Sequence, residues 1–309
     1  SQEGLAVAKL YSLLAAKAGA SSINVADIEV KHLQKAADEL WSSRGKSLVV
    51  SGSNDPNVQE LVNNINMLLG AYESKIIDVN VPAYYRQGND EQMYQFVQDV
   101  KNKAVDAVIF LESNPVYDHP MGNVLAENLP DIPLVIATSY KIDETSQYAK
   151  FLAPVHHFLE AWNDAEPRKW HFSLIQPAIS PLLETRQMEE SLLVWSQNTV
   201  SDYYTYLQNN WRQNLFALQD DVLDFQTFWD RALYNGVFEY SNDQETASAP
   251  QFASNLTSVA GKLNSRYKAD SQEWELILYE KVGIGTGAMA NNPWLQEMPD
   301  PMTKATWQN

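Results

Sequence analysis

The chain has 309 residues, of which 45% are apolar and 20% charged, enough to build one large or two ordinary domains and too apolar for wholesale disorder. Its 22 basic and 39 acidic residues leave a net charge of −17, a field that repels nucleic-acid phosphates and anionic lipid surfaces. With no cysteine, the chain holds no disulfide, thiol nucleophile, thiolate zinc site or cysteine-ligated iron–sulfur cluster.

In chain order, the first forty residues read as helices. Leu5, Leu10, Leu13 and Leu14 recur at helical spacing, as do Ile28, Leu33, Ala36, Ala37 and Leu40. Ser47–Ser51 is then a short β-rich run, and Gly52–Pro56 a turn in which Asp55 can cap a helix opened by Pro56. That helix carries Leu61, Val62, Ile65, Leu68 and Leu69 and stops at Gly70. Ile76–Val79 reads as a strand, Glu91–Lys103 as a helix, Ala107–Leu111 as a buried strand, Val124–Leu129 as a helix, and Leu134–Ala137 and Phe151–Pro154 as further strands. Such alternation with nearly continuous apolar strands predicts an α/β fold around a parallel sheet. Ser201–Trp229 is aromatic-rich with helical spacing, and Ser241–Pro250 is a polar acidic loop. Leu276–Tyr279 reads as a strand, followed by Gly283, Gly285 and Gly287 and then by the prolines 293, 299 and 301. The expected organisation is an α/β domain over residues 1–190, a helical region with a polar loop over 191–270, and a strand with extended chain over 271–309 that opens a further β domain. The start, Ser1-Gln2-Glu3-Gly4, shows no signal peptide and no initiator Met. The chain is therefore expected to be a processed protein or a piece of a longer one.

Several motifs are candidates for chemistry. The three glycines 283, 285 and 287 would let backbone approach a phosphate, but Asn291-Asn292-Pro293 follows where a helix should start, which favours a turn. Gly52–Asp55 carries one glycine and an acidic residue, which favours a plain turn. On a helix, His157 and Glu160 would share a face beside His156, a metal-pair spacing without a third ligand. No Gly-x-Ser-x-Gly elbow accompanies the Ser, His and Asp residues. Glu189-Glu190 and Asp220-Asp221 read as solvated faces of amphipathic helices. Residues 114–181 are dense in Asn, Asp, His and Pro at strand carboxyl ends, where open α/β sheets build a ligand crevice. The same composition also suits structural turns.

These residues resemble the molybdopterin oxidoreductase family, in a dinucleotide-binding-like domain. The resemblance rests on a strand with an Asn-Pro turn (Ile109–Pro115), a strand and Glu-Thr pair (Leu134–Thr145), a short apolar strand ending in Pro (Phe151–Pro154) and a Glu-containing loop (Glu160–Pro167). Within that family the chain is most similar to a cofactor-free branch, the large iron–sulfur subunit of alternative complex III, a bacterial quinol-oxidising respiratory complex. Ser51–Pro56, Tyr85–Asp90, Asn114–Pro120, Leu159–Pro167 and Asn291–Glu297 carry that likeness, strongest over 48–195 and 274–309. The departures point the same way. Ser139 stands where pterin-dinucleotide binders usually carry Asp, Ala149-Lys150 replaces Ala-Asp, and Ala161-Trp162-Asn163 replaces a glycine loop.

The resemblance implies a non-catalytic scaffold segment without cofactor, whose parent subunit carries iron–sulfur clusters elsewhere. The parent complex would be a periplasmic, membrane-attached oxidoreductase. The segment's partners would be other subunits of that complex, and a basic electron carrier could be guided by its acidic surface; neither nucleic acid nor membrane insertion is expected. Asn114, Tyr117, His119, Ser139, Glu160, Asn163 and Asp164 are the candidate residues of a degenerate crevice, with no catalytic residue and no metal ligand assigned. Two alternatives stay open: an active molybdopterin- or nucleotide-dependent oxidoreductase domain, and a small-ligand module with Tyr117, His119 and Trp162 lining a pocket.

Overall fold

The computed structural model describes residues 2–85, 87–240, 252, 255–266 and 280–307. Its helices are, in chain order, α1 (Glu3–Ala18), α2 (Leu33–Ser42), α3 (Pro56–Leu68), α4 (Asp90–Lys101), α5 (Pro115–Asp118), α6 (Gly122–Asn128), α7 (Met188–Trp195), α8 (Tyr203–Asn210), α9 (Phe225–Asn235), α10 (Leu256–Arg266) and α11 (Pro293–Gln296). The strands are β1 (Ala107–Phe110), β2 (Leu134–Ala137), β3 (Phe151–Leu152), β4 (Asn163–Arg168), β5 (His171–Ile175) and β6 (Val237–Glu239). The fold is mixed α/β. It divides into two compact units, each assembled from two stretches of chain: residues 1–82 with 242–277, and 83–241 with 278–309.

The first unit is helical. Leu5, Ala8 and Leu14 of α1, Leu61 and Ile65 of α3 and Leu263 of α10 are buried in one apolar cluster. Asp55 caps α3 by accepting from the backbone N–H of Asn57 at 2.9 Å, with Pro56 at the first helical position. Ser47–Ser51 and Ile76–Val79, expected as strands, belong to no sheet. The reason is visible at Val49. The buried side-chain amide of Asn66 accepts from its N–H and donates to its C=O, both at 2.8 Å, and so meets the backbone needs a neighbouring strand would meet.

The second unit holds two three-stranded sheets. β1, β2 and β3 are parallel, with Val108 opposite Val135 and Ile136 opposite Phe151. Val97 and Val100 of α4 and Leu125 of α6 pack with Phe110, Val135 and Ala137 on one face. The helices α5 and α6 form the crossover from β1 to β2, as parallel pairing requires. The other sheet, β4-β5-β6, is antiparallel and overturns the reading of residues 160–167 as a loop. The strand was hidden because Asn163-Asp164-Ala165-Glu166-Pro167-Arg168 lacks β-branched residues and contains Pro. Trp211, Trp229, Phe225 and Phe228 form its aromatic core with Leu207 and Leu174.

The helical reading of 201–229 holds for α8 and the start of α9, joined through a π-turn at Trp211–Leu215 and a 3-10 turn at Phe216–Leu218. Asp220 and Asp221, expected on a helix, instead lie in the connection before α9. Ser241–Pro250 and Leu276–Tyr279 lie outside the described residues. Among the described residues, no helix is long and apolar enough to cross a membrane.

Candidate functional site

The carboxyl ends of β1 and β2 open into a cleft of about 420 Å³, where open α/β sheets place ligands. Its walls come from the turn after β1 (Glu112–Asn114 and Tyr117–Asp118), the turn after β2 (Ser139–Glu144) and the distant segment Gly287–Asn291. Asn114 organises the first two. Its side-chain oxygen accepts from the backbone N–H of Thr145 at 3.0 Å and from the Thr145 hydroxyl at 2.7 Å, and its amide donates to Glu144 at 2.8 Å. Ser139 donates to Asp143 at 2.8 Å. Tyr117 stands against Gly287, where a Cβ would fall 2.5 Å from the Tyr117 hydroxyl. Gly287 also has φ +87°, so glycine is required there twice over.

The cleft is acidic. Glu112, Asp118, Asp143 and Glu144 line it, and Lys141 is the only basic lining residue among the described residues. Burial, with help from Glu189, raises the Glu112 carboxyl above the usual range. Burial likewise raises Asp118, with the neighbouring charges of Glu144 and Asp143 adding to it. Asp143 goes the other way. Burial acts to raise it, but hydrogen bonds from Ser146, Ser139 and Thr145 outweigh that and hold it low. Asp143 is thus favoured in its ionised form, and its charge is among those that raise Asp118. Glu112 also has φ +43°, a conformation non-glycine residues seldom adopt.

This donor set does not fit a pterin dinucleotide. The phosphates of such a group would meet four carboxylates and one lysine, and the polar side chains Asn114 and Ser139 are already bonded to neighbours. Lys150 donates to the Pro133 carbonyl at 2.9 Å and does not line the cleft.

Three of the seven candidate residues, Asn114, Tyr117 and Ser139, come together here; the other four do not. His119 accepts from the Met121 N–H at 3.2 Å. Glu160 binds two backbone N–H groups, His157 at 2.9 Å and Leu182 at 3.0 Å, which hold its carboxyl low. His157 and Glu160 form a capping box on the 3-10 turn Phe158–Glu160 rather than a metal pair on a helix. Among the described residues no group of three His, Cys, Asp or Glu is placed to hold a metal.

Asn163 and Asp164 sit on β4 in a separate polar cluster. Asp164 accepts from the Trp211 indole N–H at 2.8 Å, and Asn163 donates to Glu189 at 3.0 Å. Burial raises Asp164, the Trp211 bond opposes this, and Glu189 adds to it. Tyr203 is pushed above its ordinary value, first by burial and then by Asp164 and Glu189. Trp162 packs against Tyr204 with ring centroids 4.6 Å apart and so does not join Tyr117 and His119 in a pocket. The sequence reading missed Glu112 as a cleft residue, although its place directly after a strand was a signal. It also missed Gly287–Asn291 as a cleft wall, for which the sequence holds no local signal. The three glycines at 283, 285 and 287 lie in turns around a bridge between Lys281 and Gly285, with no helix opening at their end.

No family model matches the chain. Over 97 residues it is 31% identical to the menaquinone reductase molybdopterin-binding-like subunit of Nitratidesulfovibrio vulgaris, covering 30% of this chain and 14% of that protein. Over 113 residues it is 30% identical to a selenate reductase subunit of Mesobacillus selenatarsenatis, covering 33% of this chain and 11% of that protein. The matches thus span well under two thirds of either relative's length. Together they support a molybdopterin oxidoreductase-like family, and an oxidoreductase-like origin, for this chain.

Proposed function

We propose that this chain is a non-catalytic scaffold segment of a respiratory quinol-oxidising complex, within a molybdopterin oxidoreductase-like subunit, and that it holds no pterin cofactor. The observation that carries the reading is the charge of the cleft, where Glu112, Asp118, Asp143 and Glu144 face Lys141 alone among the described residues. A crevice that binds a phosphate-bearing dinucleotide needs N–H donors and cations at that place; this one repels such a ligand. The description of the N. vulgaris relative as molybdopterin-binding-like, and its tie to menaquinone, support both halves of the proposal.

In this reading the parent subunit is of the alternative complex III type, on the periplasmic side of the bacterial inner membrane. Its iron–sulfur clusters lie outside this segment, which has no thiolate to ligate them. The acidic surface meets partner subunits or steers a basic electron-carrier protein. The match to a selenate reductase subunit favours a second reading, an active molybdopterin- or nucleotide-dependent oxidoreductase domain.

The native complex containing this chain separates the two. Metal analysis by mass spectrometry and pterin fluorescence after oxidation are normalised to the chain. Molybdenum, tungsten and pterin far below one per chain are expected. Stoichiometric molybdenum or tungsten with pterin in a complex that holds no other molybdopterin-type subunit sinks the scaffold reading.

A further inference from the structure

The connections after β3 and after β5 are laced to each other. The Leu159 carbonyl accepts from the N–H groups of Ala178 at 2.7 Å and Ile179 at 3.1 Å, and the Arg186 N–H donates to the Pro154 carbonyl at 3.2 Å. Glu160 ties the His157 and Leu182 N–H groups together. Pro177 and Pro181 restrict the second connection further. This held frame carries large apolar side chains outward. Leu182 is 78% exposed, Leu183 76% and Phe158 66%, and Leu159 and Ile179 beside them are exposed as well. Apolar side chains scattered singly over a surface need no explanation, but a contiguous group marks an interaction site.

The size and charge of the group narrow what covers it. These side chains together expose ~500 Å² of apolar surface. A stable pair of proteins buries roughly 800 Å² on each side, so the group is the apolar centre of an interface whose rim supplies the rest. That rim is net negative. The exposed Glu184 and Arg186 offset each other, while the N–H groups of His157 and Leu182 hold the Glu160 carboxyl low. The chain as a whole carries −17. A second copy would bring the same rim and the same charge, and an anionic lipid surface meets the same repulsion. The complement is a protein surface with an apolar centre ringed by Lys and Arg.

We propose that Phe158, Leu159, Ile179, Leu182 and Leu183 form the docking face for a different polypeptide, a partner subunit that presents an apolar patch ringed by basic residues. The proposal rests on the reading of this chain as one segment of a multi-subunit complex, and it names the face that reading leaves unassigned. Loops already tied to each other lower the cost of docking, because little is left to be ordered on binding.

The native complex and the isolated full chain together test it. Stoichiometric molybdenum with pterin would sink the scaffold reading and leave the readouts below unchanged, so the two failures are told apart. In hydroxyl-radical footprinting, Phe158, Leu182 and Leu183 should label strongly in the isolated chain and several-fold less in the complex. Benzoylphenylalanine in place of Leu183 should cross-link, in the complex, to a different polypeptide through a segment with an excess of Lys and Arg. The double variant Leu182→Ser, Leu183→Ser should retain about tenfold less partner subunit through purification, with an unchanged Tm because both side chains are exposed. Leu223→Ser, at a position 96% exposed elsewhere in the chain, should retain it in full. Equal labelling in chain and complex overturns the proposal. So does full partner retention in the double variant, or a cross-link to a second copy, to this polypeptide itself, to lipid or to a segment without the basic excess.

Discussion

The Trp211–Asp164 bond is where a sequence change should have its most diagnostic effect. Trp211 is fully buried and donates its indole N–H to Asp164 at 2.8 Å. Burial raises the carboxyl of Asp164, and the charge of Glu189 adds to this. A hydrogen bond to a charged group contributes about 1.5–3 kcal/mol, and the smaller ring of phenylalanine leaves a void worth ~1 kcal/mol more. Trp211→Phe should therefore destabilise the second unit by ~3 kcal/mol at neutral pH, or ~6–12 °C in Tm for a unit of this size. Asp164→Asn keeps an acceptor for Trp211 and removes the buried charge. Because the folded carboxyl sits above its unfolded value, the stability it contributes is complete at pH below the unfolded value and is lost as pH rises through the folded one. Asp164→Asn should thus equal or exceed the parent chain in stability at neutral pH, with the difference vanishing on acidification. In the Asp164→Asn background, Trp211→Phe removes only a neutral bond, about 0.5–1.5 kcal/mol net, so the double-mutant cycle should show positive coupling. Urea unfolding followed by tryptophan fluorescence and circular dichroism, repeated across the acid-to-neutral range, reads all of these. The reasoning fails if Trp211→Phe costs the same in both backgrounds, or if Asp164→Asn is destabilising and becomes more so as pH rises.

In the first unit, Asp55→Ala removes the cap of α3 and should cost about 0.5–2 kcal/mol in urea unfolding, with Asp55→Asn costing far less. Burial acts to raise the Asp55 carboxyl, but hydrogen bonds from Asn57 and the Arg266 charge at 3.1 Å hold it low. Its contribution is present above the ordinary carboxylate range and lost as pH falls through its folded value, so an acid-side stability titration should flatten in Asp55→Asn. At Gly122, a Cβ would fall 2.0 Å from the Val116 carbonyl oxygen; Gly122→Ala should cost ~3 kcal/mol or more by forcing α5 off α6, seen as a lower Tm. Gly287→Ala should displace Tyr117 from the cleft wall and strain a positive-φ backbone at a cost of ~1–2 kcal/mol, read as a local increase in hydrogen exchange over Asn114–Asp118 together with a lowered Tm. Asn114→Ala strips the buried Thr145 of two hydrogen bonds and should cost ~1–3 kcal/mol, whereas a residue kept for ligand contact would lower stability little on removal or even raise it.

Much of the second unit's parallel sheet was legible because its strands obey simple rules. Ala107–Phe110 and Leu134–Ala137 are short apolar runs bounded by turn residues, and in the first unit Asp55 announces α3 as a side-chain cap. The failures have physical causes. Ser47–Ser51 has strand composition, yet the Asn66 side chain takes the place of a neighbouring strand, a substitution invisible at any local window. β4 was hidden by its polar, proline-containing sequence and exists because β5 pairs with it and Trp211 reaches Asp164 through the π-turn. Asp220 and Asp221 were assigned to an amphipathic helix, but Asp224 caps α9 only three residues after Asp221, so the chain must break before it. Of the candidate site, the turns after β1 and β2 were readable from Asn114, Tyr117 and Ser139. The wall at Gly287–Asn291 was not, since it is joined to them only by tertiary contact.

The way the crevice residues are used bears on what the crevice can do. A polar side chain can recognise a ligand only with donors or acceptors that folding has left over. Asn114 has committed its oxygen to Thr145 and its amide to Glu144. Ser139 donates to Asp143, His119 accepts from Met121, Glu160 braces two loop amides, and Asn163 and Asp164 are bound to Glu189 and Trp211. Tyr117 is the exception, with its hydroxyl turned toward Gly287. Residues of the types that suit a ligand crevice have thus become the internal bracing of the loops that carry them. Bracing of this kind costs recognition and gains rigidity, because donors and acceptors already paired within the loops are not free for a ligand and tie the loops together. Rigid loops on an acidic surface are what a subunit needs in order to hold partners in register, and the same bonds leave little with which to discriminate a cofactor. The scaffold proposal therefore rests on two independent supports, the charge of the cleft and the occupancy of its hydrogen-bonding groups, and a variant such as Asn114→Ala probes the second without touching the first.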